Sequence, residues 1–310
     1  MRAAGFSRYG GPDVVELIEL PEPEPGPGEI RIRVAAATVN PADVLFRGGG
    51  LASAIEGEPP YVAGLELAGT VDAAGDGARL RPGEDVVAMT KFIPTGRGAH
   101  AELVVVDGES AARAPANIAP AAAATLPMNG LTVRLALDRL ALMPGSTILV
   151  TGAAGAIGGY AIQLAIAEGL RVFAIAGSAD EALVGGFGAE LFIARGENAA
   201  QAVRAAFPSG VDAAIDAACI GSPILPALRD GARIAALRSF DGETDRDISV
   251  ELVSVRQYLR EAGKLEHLVE LTEAGRLTPR VAETFPLERA ADAHARLERG
   301  GLRGRVVLEP

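Results

Sequence analysis

The sequence predicts an α/β protein in two parts, a β-rich first third followed by a doubly wound parallel sheet. Three observations carry this. Short alternating strands separated by Gly- and Pro-rich turns fill the chain up to about Pro115. From Thr147 onward strands and helices take turns. Where the second pattern begins, an apolar strand enters a glycine-rich turn and leaves it as an apolar helix, "ILVTGAAGAIGGYAIQLA". The 310 residues leave room for two cores at about 150 residues per domain.

In chain order, "ELIEL" and "EIRIRVAAATV" alternate as strands do, and "PEPEPGPGE" between them is a loop. "ELAGTVDAAG", "EDVVAMTKF" and "HAELVVVD" add three strands, and short strands so closely spaced suggest a compact barrel or sandwich. "NIAPAAAATLPMNGLTVRLALDRLA" is helical in period, with a break at Pro127. "TILVTG" is a strand and 156–168 a helix. "RVFAIAG", "ELFIA", "VDAAIDAA" and "ARIAALRSF" read as further strands, with helices at "ADEALVGGFG" and "ENAAQAVRAAF". The tail gives a strand "RVAETFPL", a helix "ERAADAHARLERG" and a final strand "GRVVLEP".

Composition narrows the partners. The net charge is −11, which disfavours nucleic acid and anionic membrane surfaces. Cys219 is the single cysteine, so neither an intrachain disulfide framework nor a thiolate zinc cluster can form. The N-terminal "MRAAGFSRYGGPDVVELIEL" has no long apolar core of a signal peptide, and no run reaches the ~18 apolar residues of a span. The expectation is a soluble, cytoplasmic protein.

The glycine turn supplies the chemistry. In the dinucleotide fingerprint, backbone N–H groups at a helix N-terminus meet the pyrophosphate, and glycines permit the tight turn and the close approach. Here Ala153, Gly155 and Gly158 occupy the G-x-G-x-x-G spacing, with Ala in the first position, Gly152 before them, and Ala156 and Ile157 between the last two. A plain strand-to-helix turn would use glycine too. The strand before, the helix after and the repeated units beyond support cofactor binding. The second strand of such a fold selects the cofactor. It ends "AIAGSADEA", with Ser178 where an acid would favour NAD; Asp180 and Glu181 follow. The small hydroxyl leans toward NADPH, with NADH still open.

Taken together, "VNPADVLFRGG", "PYVAGLELAGTV", "LPMNGLTVRLAL", "ILVTGAAGAIGGYAIQLA", "FGAELFIA", "VDAAIDAA" and "FPLERAADAHARLERGGLRGRVVLEP" resemble the medium-chain dehydrogenase/reductase superfamily, in its zinc-free quinone oxidoreductase (zeta-crystallin-like) branch. The likeness covers nearly the whole chain. It implies a GroES-like β-rich substrate domain at residues 1–118, completed by 280–310, and a Rossmann dinucleotide-binding domain at 119–279. It also implies NAD(P)H held between the two, a small-molecule quinone or enone substrate, and a homodimer.

Site residues follow from the resemblance position by position. Asn40 and Asp43 match the "N-P-x-D" motif at the nicotinamide end, where Asn40 would meet a substrate carbonyl or the nicotinamide ribose; a strand-end turn is the alternative. Thr132 matches a cofactor-contacting threonine, or else is an ordinary helix residue. Arg195 falls where many NADPH-dependent members place a Tyr near the adenosine phosphate, and a guanidinium suits a phosphate; a solvated surface Arg is the alternative. Zinc-dependent relatives carry a Cys near Asn40 and a His–Glu pair where this chain has Leu65–Glu66, and four clustered Cys elsewhere. Catalytic zinc needs three protein ligands, so no metal site is expected. The chain departs from the family at Glu181, often Lys, and at Leu45, often Tyr, which puts tyrosine-assisted protonation in doubt. Of the three histidines, His294 is expected to pack on its helix, His267 to be half exposed, and His100 to have some reach toward substrate, with a pKa suited to proton transfer. Cys219 is expected to be a small buried residue near the cofactor loop.

The implied reaction is hydride transfer from NADPH to a quinone or an α,β-unsaturated carbonyl, without zinc. Two alternatives remain, a non-catalytic NADPH-binding redox sensor and a pathway-specific enoyl reductase. A short-chain dehydrogenase is excluded, because the loop begins near residue 150 and no Tyr has a Lys four residues on.

Overall fold

The computed structural model describes all 310 residues. The chain forms two compact units, each described by itself. The first holds Met1–Met128, Leu259–Gly275 and Pro279–Pro310; the second holds Asn129–Tyr258 and Arg276–Thr278.

The first unit opens with strands β1 (Arg2–Phe6), β2 (Glu16–Glu19) and β3 (Glu29–Val39). Helix α1 (Pro41–Arg47) starts at Asn40–Pro41, because proline fits the first helical position. β4 (Tyr61–Val62), β5 (Glu66–Ala74), β6 (Asp85–Met89), α2 (Phe92–Thr95), β7 (Leu103–Asp107), β8 (Ala111–Arg113) and α3 (Pro120–Ala123) follow. Helix α4 (Pro127–Leu140) begins here and continues into the second unit, which carries β9 (Thr147–Thr151), α5 (Ala156–Ala167), β10 (Arg171–Ala176), α6 (Glu181–Gly186), β11 (Leu191–Ala194), α7 (Ala199–Ala206), β12 (Val211–Asp216), β13 (Leu228–Ala236) and β14 (Ser249–Leu252). The chain then returns to the first unit as α8 (Ala262–Glu273), β15 (Val281–Pro286), α9 (Ala290–Glu298) and β16 (Arg305–Glu309). No helix is long and apolar enough to cross a membrane.

In the first unit a seven-stranded sheet runs β15-β16-β3-β5-β6-β8, with β7 also on β3; β2-β1-β4 form a smaller sheet. The alternation of β3 sets the two faces. Ile30, Ile32 and Val34 are buried with Leu67, Val86 and Val104. Arg31 and Arg33 point the other way, onto Asp72 at 2.8 and 2.7 Å. The last strand, β16, inserts antiparallel to β3 and parallel to β15.

The unit boundaries differ from those read in the sequence. Residues 119–128 stay with the first unit because α3 packs on β3 and β5. Helix α8 belongs there too. Its Glu273 accepts from the backbone N–H of Ala116 (2.9 Å) and from Asn117 (3.1 Å), and its Glu266 accepts from Arg79 (2.5 Å).

The second unit is one parallel sheet in the order β11-β10-β9-β12-β13-β14. Relabelled from its first strand this is 3-2-1-4-5-6, the dinucleotide-binding order. β9 is buried along its whole length, as a central parallel strand covered on both faces should be. β14 escaped the sequence reading because "SVEL" is short and half polar, in keeping with an edge strand.

On α9, His294 is buried edge-on to His100, with ring centroids 5.5 Å apart at 89°. Neither His294 ring nitrogen has a hydrogen-bond partner in the protein. Burial, with the neighbouring His100 and the Arg47 guanidinium, holds its pKa well below the ordinary 6.5. An unfolded chain takes up this proton near pH 6.5 and the folded chain does not, so stability is lost as pH falls below that point. Between pH 7.5 and 5.5 the wild type should lose about 2–4 °C more in Tm than His294→Leu. Parallel melting curves for the two proteins would reject this.

Candidate functional site

The glycine turn leaves the carboxyl end of β9. Gly152 has φ 58°, the left-handed region, and a Cβ there would stand 3.2 Å from the backbone N of Ala218. Gly155 caps α5 without a side-chain hydrogen bond, so no side chain of the cap occupies the helix N-terminus, the end at which an anion is held. At Gly158 a Cβ would overlap the Gly152 carbonyl and lie 2.6 Å from Ala153 Cα; only glycine lets α5 pack this close to the loop. Ala153 is buried and its N–H donates to Ile175 O (3.1 Å), so its methyl is a packing group rather than an obstacle. Gly152, Gly155, Ala156 and Ile157 form the half-buried rim; Gly158 and Ala153 lie beneath it.

At the end of β10, Ser178 is exposed in a single turn (Ser178–Asp180). Arg195, just after β11, is also exposed, and its backbone N–H donates to Ala176 O (2.6 Å). The Arg195 Nε and the Asp180 carboxylate lie 3.9 and 3.0 Å from the point where a Gly177 Cβ would sit. The sheet therefore brings Ser178, Arg195 and the buried Asp180 to one corner. Thr132 is buried within α4.

The first unit holds a sealed polar cluster. Asn40 and Asp43 are both fully buried. Asp43 accepts from the backbone N–H of Asn40 (2.7 Å) and of Gly64 (2.8 Å). The Asn40 side chain donates to Thr38 Oγ1 (3.0 Å) and accepts from Arg305. Its polar atoms are engaged inside the protein, by Thr38 and Arg305. Burial raises the Asp43 carboxyl pKa; His100, the two N–H groups and Arg305 act against it. His100 is also buried rather than facing a substrate, and its Nε2 lies 3.0 Å from Thr38 O. A carbonyl only accepts, so the ring proton sits on Nε2.

Glu66 is the hub of this cluster. Its Oε1 accepts from Thr38 Oγ1 (2.5 Å) and Arg305 Nη2 (2.8 Å); its Oε2 accepts from the backbone N–H of Met128 (2.7 Å). The last contact places an anion on the first turn of α4, which starts without a polar cap of its own at Leu126. Burial pushes the Glu66 carboxyl pKa up, and Arg305, Thr38 and Met128 pull against it.

Known proteins match both units. Residues 26–116 match the family model of the alcohol dehydrogenase GroES-like domain, and residues 187–308 that of a zinc-binding dehydrogenase. The NADPH-dependent alkenal/one oxidoreductase of Arabidopsis thaliana chloroplasts is 30% identical, over 100% of this chain and 80% of that protein. The chloroplast quinone-oxidoreductase homolog of Spinacia oleracea is 28% identical, over 100% and 98%. A solved NAD-dependent alcohol dehydrogenase superposes with TM-score 0.88 at 29% identity, covering 100% of both chains. The chain belongs to the medium-chain dehydrogenase/reductase superfamily, in its quinone oxidoreductase branch. It is an oxidoreductase with a nicotinamide cofactor.

The zinc in one family model's description can be tested against this member's donors. Asn40, Leu65 and Glu66 stand at the ligand positions named above. Leu65 has no donor atom, and both Glu66 oxygens are taken by the chain itself. The residues do not fit a zinc ion.

Arg305, Thr38, Thr151 and Asp216 were not among the site residues read in the sequence. The signal available for Arg305 was a single charge opening an apolar final strand, "RVVLE". For Asp216 it was a carboxylate closing "VDAAID". Cys219 is exposed, not buried, because the loop after β12 turns it outward with φ 53°. His267 is exposed on α8.

Removing one member of the buried pair strands the other charge. Arg305→Met should cost about 3–5 kcal/mol in urea unfolding, and Glu66→Gln combined with it should cost less than the sum of the singles. Additive losses would show the two do not interact.

Proposed function

We propose that this chain is a zinc-independent reductase that transfers hydride from NADPH to a quinone or an α,β-unsaturated carbonyl compound. The observation that carries the reading is the saturation of Glu66 by Arg305, Thr38 and Met128. A site without a Lewis acid suits acceptors that are already electron-poor. The names of the Spinacia oleracea and Arabidopsis thaliana relatives, a quinone-oxidoreductase homolog and an alkenal/one oxidoreductase, support the same substrate class.

When bound, the nicotinamide supplies the hydride. The N–H groups at the start of α5 would hold the pyrophosphate, with Gly152, Gly155, Ala156 and Ile157 at the rim. Ser178 and Arg195 would take the 2′-phosphate, the guanidinium offering it a two-pronged contact. Asp180 opposes this from the same corner but is turned toward Gly177. Asn40 and Asp43 shape the turn into α1 from within, so the carbonyl oxygen that gains charge on reduction is met by water or backbone donors rather than by these two side chains.

The test is oxidation of NADPH and NADH by chelator-treated protein with a benzoquinone and a simple enone. Turnover that prefers NADPH and survives chelation is expected. Loss of turnover on chelation overturns zinc independence, and cofactor binding without turnover overturns the reductase reading. Arg195→Ala should lower kcat/KM for NADPH about tenfold or more, the worth of one charge-assisted hydrogen bond, while NADH stays within about twofold. Equal losses with both cofactors would remove Arg195 from phosphate recognition.

A further inference from the structure

In the first unit α9 packs against α1, and three polar side chains are buried around that contact: Arg47, His100 and His294. His294 and Glu298 lie one turn apart on α9 and share a face. Arg47, the last residue of α1, reaches Glu298 with Nη2 (2.5 Å) and the carbonyl of Gly10 with Nε (3.1 Å). His100, just before β7, is pinned by its backbone to Ala63 (3.0 Å) and Ala4 (2.8 Å), and its ring stands at right angles to that of His294. Four nitrogens of this group have no hydrogen-bond partner in the protein. They are Arg47 Nη1, His100 Nδ1 and both ring nitrogens of His294. A buried polar atom left unpaired is costly, so a folded core seldom keeps several together.

The hydrogen-bonding character of the four identifies what would pair them. Arg47 Nη1 only donates. The His100 proton sits on Nε2, toward Thr38 O and with the Asp43 carboxylate 4.0 Å away, which leaves Nδ1 as an acceptor. Burial, with the neighbouring His100 and Arg47, keeps the His294 ring neutral, so one of its nitrogens donates and the other accepts. An anion would face the acceptor lone pairs, and a cation would face the guanidinium. Water both donates and accepts, and it suits the mixed set.

We propose that an internal water molecule is held between His294, His100 and Arg47, joining α9 to α1 and to the chain before β7. A buried water makes about three hydrogen bonds to groups that the protein leaves unpaired, and one nitrogen from each residue supplies them. Through the His100 ring the water is coupled to Thr38, whose side chain belongs to the polar cluster around Glu66. The site lies wholly in the first unit and rests on no reading of the cofactor or the acceptor.

The test uses full-length wild type. A high-resolution crystal structure at neutral pH should show one water within about 3.2 Å of Arg47 Nη1, of His100 Nδ1 and of a His294 nitrogen. A direct hydrogen bond between the two imidazoles, or no density beside His294, overturns the proposal. Crystals soaked in bromide should give no anomalous peak at this point; a peak there overturns water in favour of an anion. In solution the three histidines give three sets of ring signals in isotope-labelled protein, with exposed His267 as the reference. The His294 ring should show a neutral tautomer and a cross-relaxation peak to water of the sign that marks a long-lived contact, opposite to that of His267. A His294 peak like that of His267, or none, overturns the proposal without any variant needing to fold. His294→Phe keeps a ring and removes both nitrogens, and the water should be lost from its crystals. A folded His294→Phe that retains the water overturns the part assigned to His294.

Discussion

A carboxylate that water cannot reach must find its partners in the protein, and Glu66 finds them on three other pieces of chain. Thr38 comes from β3, Met128 from the start of α4, Arg305 from β16, and Asn40 joins through Arg305. A buried ion pair is seldom worth more than a well-packed apolar substitute. Its value here is geometric. Arg305 stands at the first residue of β16. A one-residue slip of that strand would turn the guanidinium to the opposite face and leave Glu66 alone. The pair therefore specifies register in the sheet that carries Asn40, and it occupies the oxygens a metal would need.

The second unit solves its positioning problem with backbone instead of charge. Three glycines let α5 close on β9, and a hydroxyl–carboxylate pair fixes the neighbouring loop. The apolar strands beneath are interchangeable in kind; the residues at their carboxyl ends are not. This is why a pattern of Val, Ile and Ala predicts the sheet, while the proposed cofactor contacts fall on residues beyond its strands' carboxyl ends.

Much of the fold was legible in the sequence. The strand Glu29–Val39, the helix break at Pro127, the helix opening at Ala156 and the strand–helix alternation beyond Thr147 fall where periodicity and turn residues put them. What escaped was set by contacts distant in sequence. α8 is amphipathic and could cover either unit; Ala116, Asn117 and Arg79 decide which. The site divides the same way. The glycine turn and the exposed Ser178 and Arg195 are local features. The burial of Asn40, Asp43 and His100 is not, because a polar residue near a strand end looks alike in sequence whether it meets solvent or a guanidinium arriving from residue 305. The outward turn of Cys219 likewise depends on Asp216 reaching the N–H groups that follow it.

The separation of Glu66 from Arg305 is 239 residues, and this has a consequence for how the protein is made. Translation proceeds at about 5–20 residues per second, so Glu66 leaves the ribosome roughly ten to fifty seconds before its counter-ion exists. Throughout that interval β3 and β5 can pair, but their polar centre has no cation, and the edge that β16 will fill is open. The nascent first unit has to wait, hydrated and incomplete, while the whole second unit is synthesised and can fold ahead of it. The interval with an open strand edge is when a chaperone would matter most to this chain.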